Sequence, residues 1–139
     1  MNIKRVILAI IAGWLLIFAA DVVVHHFWLR PDYVATKSIW RPDAEIETRL
    51  HWMFIAQFLG VATFVMVWAK GFAGGSVGTG VVFGLLMGLF QAIWVLADYV
   101  MIPLPGDLAV KWFIAGVVQA VLLGIATSLV YKPSPAAAS

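Results

Sequence analysis

The chain contains no cysteine, which removes disulfides, thiolate metal sites and thiol redox chemistry together. Charge is almost as scarce. Only 12% of the 139 residues are charged, and nine lysines and arginines against seven aspartates and glutamates leave a net charge of +2. That excess is too small and too scattered to point to nucleic acid as a partner. The signatures of soluble enzymes are missing as well: there is no GxSxG, no phosphate loop after a strand and no HExxH. The chain therefore reads as a non-enzymatic protein, although aspartate and histidine remain competent acid–base groups.

What is abundant is apolar surface. Hydrophobic residues make up 63% of the chain and mean hydropathy is +0.99, well outside the range of soluble domains. Four apolar runs, at about 4–28, 49–69, 77–102 and 109–131, reach the roughly 20 residues that a spanning helix needs. Continuous runs of this length exclude the alternating strands of a membrane barrel. The expected fold is an all-α integral membrane protein, a four-transmembrane-helix bundle in one domain, with an outer loop at about 29–42 and a disordered C-terminal tail at 133–139. The basic start of the chain followed by an apolar run has the outline of a signal peptide. Phe18 stands where a cleavage site needs a small residue, so the first run is expected to remain as a helix.

The first loop, LRPDYVATKSIWRPDAEIET, is far longer than the other two and is the one able to fold over the bundle. Within it Pro42, Asp43, Glu45 and Glu47 have the composition of a helix start, so helix 2 is expected to run over 43–69. Helix 2 carries HWMFIA and then LGVAT, and helix 4 carries KWFIA and then LGIAT. This points to two similar helical hairpins. Lys4, Arg5, Lys70 and Lys132 fall on one side of the membrane and Arg30, Lys37, Arg41, Arg49 and Lys111 on the other. The positive-inside rule is nearly balanced by these counts. The basic N-terminus beside the first run, and the acidic residues facing the other five, favour N-in and C-in.

Polar residues collect at one end. Antiparallel hairpins bring Asp21, His25, His26, His51, Asp98 and Lys111 to a similar depth near the outer interface, with Gln57, Gln91 and Gln119 a turn or two deeper. On a helical wheel Asp21 and His25 share a face while His26 points about 100° away. Gln91, Trp94 and Asp98 share a face of helix 3 with Gly80 and Gly84, which makes helix 3 the expected central helix. The expected polar or ligand-binding pocket is therefore Asp21, His25, His51, Gln91, Trp94, Asp98 and Lys111. Gly80, Gly84 and Gly88 on helix 3, and Gly116 and Gly124 on helix 4, form small-residue faces that pack either within the monomer or in a homodimer or larger complex.

Four readings of the polar end remain open. It caps the fold and carries a binding or accessory role. It holds a divalent transition metal through Asp21, His25, His51 and Asp98; here the Asp-x3-His spacing resembles the copper-ligand arrangement of particulate methane and ammonia monooxygenases. It holds a haem between His25 or His26 and His51, the weakest of the four because no second histidine pair exists. Or it couples a cation or proton to transport, as the size and layout, similar to the small multidrug resistance transporters, would imply; their carboxylate motif on the first helix is not present here. The opening MNIKRVILAIIAGWLLIF and the four-span plan with a long first loop resemble small bacterial inner-membrane proteins of unassigned function. That resemblance implies a bacterial inner (cytoplasmic) membrane and carries no site residues.

Overall fold

The structure is a computed structural model and describes residues 1–131; the tail expected at 133–139 lies outside the described residues. Four apolar helical stretches, Ile3–Trp28, Leu50–Gly71, Val77–Met101 and Gly106–Val130, are long enough to cross a membrane, and no strand occurs among the described residues. The protein is an all-α four-helix membrane bundle.

The first span begins as α1, Ile3–Asp21, whose N-cap Asn2 accepts a hydrogen bond from the Arg5 backbone N–H. It continues as a π-helical segment, Val22–Trp28, closed by a Leu29 N–H donating to the Val24 carbonyl at 2.8 Å. The first loop is largely helical. It holds α2, Arg30–Ala35, with Pro31 in its first turn, a 3₁₀ turn at Lys37–Ile39, and α3, Asp43–Glu47, with Asp43 and Glu45 at its positive end. Instead of running on from Asp43, helix 2 is broken. The Thr48 hydroxyl and the Arg49 guanidinium both donate to the Glu45 carbonyl, an oxygen that a continuous helix would offer to the Arg49 N–H, and that N–H turns to Ile46 instead. Helix 2 resumes as α4, Leu50–Gly71.

A short turn with Gly74 at φ 87° leads to α5, Val77–Ala92, capped by Ser76. A tightened joint, in which Trp94 N–H donates to Gln91 and Leu96 N–H to Ile93, separates α5 from α6, Val95–Met101. The fourth span, α7, Gly106–Val130, starts directly after Pro105.

The central helix is α7, not the third span. It packs against α5 most extensively and also touches α1, α4 and α6. The reason lies in the small-residue faces. A Cβ on Gly80 would stand 2.5 Å from the Gly124 carbonyl oxygen, and one on Gly84 would strike the Ala120 carbonyl, so the two backbones are in contact. Gly80, Gly84, Gly88 and Ala92 are all buried along this line. Gly116 is looser, since a Cβ there would meet only Ala92 at 3.8 Å. The glycine faces are thus spent inside the chain, on the tightest crossing of the bundle.

Two apolar clusters result. The larger, around Val61, Val65, Trp68, Phe83 and Leu123, fills the half of the bundle away from the first loop. The smaller, Leu29, Leu104, Leu108 and Ala109, seals the loop end, with Tyr33, Trp40 and Trp112 packed on it.

Candidate functional site

Asp21 ends α1 seven residues before the end of the first span, roughly 10 Å along the helix axis. An ionised side chain at mid-membrane costs roughly 2.5–3.5 kcal/mol, less towards an interface, so it needs partners. Two amides supply them. Gln57 Nε2 from α4 donates to Oδ2 at 2.5 Å, and Gln119 Nε2 from α7 donates to Oδ1 at 2.7 Å. One carboxylate thus ties three spans together. Its side chain remains 35% exposed.

Four residues on, His25 places Nε2 3.8 Å from Asp21 Oδ1, too far for a direct hydrogen bond. On the other edge of the ring, His25 Nδ1 lies 2.6 Å from the Tyr33 hydroxyl, and the two rings stack at 5.9 Å. Trp112 Nε1, which can only donate, gives its hydrogen to the same hydroxyl oxygen at 2.9 Å. The hydroxyl thus sits between the Trp112 donor and the His25 ring, whose other nitrogen, Nε2, lies on the side of Asp21. Burial pushes the Tyr33 phenol above its usual pKa; the Trp112 hydrogen bond opposes this, and the nearby negative charges of Asp32 and Asp21 add to it.

The first loop forms the roof. Lys111 Nζ donates to Asp32 Oδ1 at 2.6 Å, fastening α2 to α7. Trp40 donates to Thr36, whose hydroxyl donates to the Asp32 carbonyl, and the Tyr33, Trp40 and Trp112 rings meet one another.

Beside this network a cleft of about 290 Å³ opens between α1 and α4, lined by Phe18, Asp21, Val22, His25, His26, Leu50, Met53, Phe54 and Gln57. The Gln57 Oε1 atom is buried and has no hydrogen-bond partner. The Phe18 and Phe54 rings lie 6.0 Å apart, tilted by 37°.

The structure brings together only part of the expected pocket. Asp21 and His25 are paired as their helical phase requires. Lys111 is at the same end but serves the roof. His51 is exposed, beside the Trp52 ring, because α4 restarts at Leu50 and turns Leu50, not His51, into the cleft. Gln91, Trp94 and Asp98 are exposed. The buried line on α5 steps four residues at a time, through 80, 84, 88 and 92, and so drifts about 40° per step around a helix of 100° per residue. By Ala92 it has moved away from the face of Gln91, and the joint at 93–94 follows. Asp98 therefore does not reach Asp21, and the Gly80–Gly84 face is filled by α7 instead of lining a cavity. Among the described residues no group of three or more His, Cys, Asp or Glu side chains is placed to hold a metal ion, so the set Asp21, His25, His51 and Asp98 is not assembled.

Sequence reasoning left Gln57 and Gln119 out of the pocket, although an amide deep in an apolar run has few partners except another polar group in a neighbouring span. Tyr33, Asp32 and Trp40, which lie in the loop, and Trp112 near the start of α7 were not among the expected pocket residues. No family model matches the chain, and no curated protein or solved structure matches it.

Proposed function

We propose that this chain is a small membrane-embedded binding or accessory protein, not an enzyme, and that its working part is the cleft between α1 and α4 at the loop end. The observation that carries this reading is the Asp21 carboxylate. It is held rigidly by amides from two other spans, yet keeps a third of its surface open beside a cleft that sits at the small end of ligand-site volumes. A residue serving the fold alone would gain by being covered. The π-helical turn supports the same reading, because such turns recur at functional sites.

The basic Lys4 and Arg5 beside the first span support an N-terminus on the inner side, which puts the cleft at the outer face. Native mass spectrometry of the chain purified in nanodiscs formed directly from its host membrane tests the binding role. Wild type is expected to retain a small molecule that Met53→Trp, which fills the cleft, releases. Retention of nothing by wild type, or equal retention by both proteins, would refute it.

A further inference from the structure

We infer that the cleft takes a free organic ammonium carried on an apolar body, with the ammonium at Asp21; this rests on the binding role proposed above. The sign of the charge comes first. Among the described residues lining the cleft, Asp21 is the one acidic side chain, and neither lysine nor arginine is present; the other ionisable groups there are His25 and His26. Two amide donors already serve the carboxylate, so a further hydrogen-bond donor at the site gains most by bringing positive charge.

Gln57 holds the carboxylate through its Nε2 and adds no charge of its own. The second feature is aromatic. Phe18 and Phe54 flank the carboxylate as a tilted pair, and ring faces attract an ammonium more strongly where water is scarce. Leu50, Met53 and Val22 complete a wall suited to a hydrocarbon body.

A free amine fits better than the headgroup of a phospholipid. A phosphoethanolamine or phosphocholine group would bring a phosphate beside Asp21 with no lysine or arginine in the cleft to receive it, and about 290 Å³ is a small-molecule volume. The flanking rings are more than two-fifths exposed, so the amine would enter sideways from the surrounding membrane.

The test uses three probes with one body and different heads: 4-phenylbutylamine, 4-phenylbutanol and 4-phenylbutyrate. Binding to the full chain in phosphatidylglycerol nanodiscs, whose lipid carries no ammonium, is followed by saturation-transfer NMR. The amine is expected to bind saturably, about tenfold or more tightly than the alcohol or the carboxylate, and Asp21→Asn is expected to remove that advantage. Phe54→Leu keeps the carboxylate and its amides, and so remains informative if Asp21→Asn fails to fold. It should weaken the amine about threefold and leave the alcohol unchanged. Equal binding of all three probes would overturn the ammonium assignment while leaving the binding role intact. So would displacement of the amine when phosphatidylethanolamine replaces phosphatidylglycerol, which would make the occupant a lipid headgroup. Absence of saturable binding by any probe would also overturn the assignment; the binding role itself falls only if wild type retains nothing in the mass-spectrometric experiment.

Discussion

Replacing Gln119 by leucine removes one of the two amides that hold Asp21 and leaves a carboxylate oxygen without its 2.7 Å donor. Interhelical hydrogen bonds between neutral groups in membrane proteins average about 0.6 kcal/mol and reach about 1.7. A charged acceptor roughly doubles such a bond. The coupling between Asp21 and Gln119 should therefore be about 1 kcal/mol. A double-mutant cycle isolates it. Gln119→Leu alone should destabilise the fold by about 1 kcal/mol, a cost that includes the carboxylate oxygen left without its donor. In an Asp21→Leu background, where no acceptor remains to be orphaned, the same change should cost nothing, so that the whole effect appears as coupling. The assay is reversible unfolding in mixed dodecyl maltoside and sodium dodecyl sulfate, followed by circular dichroism. If the two changes add to within about 0.3 kcal/mol, the carboxylate is not held as the geometry says, and the argument that it is a rigid element of a binding cleft fails with it.

Two further outcomes can be checked in the same assay. The sequence LGVAT in α4 and LGIAT in α7 carry Gly60 and Gly124 in matched positions, but a Cβ meets nothing within 4 Å at Gly60, whereas at Gly124 it strikes the Gly80 carbonyl and lies 3.1 Å from the Gly84 Cα. Gly60→Ala should therefore stabilise by up to about 1 kcal/mol and Gly124→Ala should destabilise by about 1–3 kcal/mol; a shared sign would contradict the α5–α7 contact. Tyr33→Phe should cost about 1–2 kcal/mol at neutral pH by removing the acceptor of Trp112 and the partner of His25. The folded phenol titrates above its unfolded value of 10.0, so its stabilising contribution is complete below pH 10, falls as pH rises from there through the folded pKa, and should be missing from the alkaline limb of the Tyr33→Phe stability curve.

Much of the architecture was readable because it depends on periods and lengths. Run length located four spans, the Pro42–Asp43–Glu45 pattern located a helix start at Asp43 though not the break after it, and helical phase paired His25 with Asp21, while His26, expected about 100° away, lines the same cleft. What escaped has a different physical origin. The drift of the buried line on α5 is set by how closely α7 approaches, and so a wheel drawn for one helix put Asp98 in the interior. The Tyr33–Trp112 and Asp32–Lys111 bonds join residues 79 apart, and nothing local marks them. The widening of Val22–Trp28 into a π-helix has no Gly or Pro to announce it. The Thr48–Arg49 break was hidden because an i,i+4 spacing of Glu45 and Arg49 suggests a continued helix. The pair does form, at 3.1 Å, but the guanidinium also takes the Glu45 carbonyl and helps end the helix it was expected to support.

The backbone-to-backbone seam between α5 and α7 also determines where this protein can move. Glycine and alanine in contact leave no side chains to change rotamer, and a small shift along the seam meets carbonyl oxygens, so that half of the bundle behaves as a stator. The first two spans meet through larger and fewer groups and face the cleft. Any breathing that admits a molecule to Asp21 is therefore a displacement of α1 against α4 over a fixed base, and amide exchange should be slowest along the α5–α7 seam.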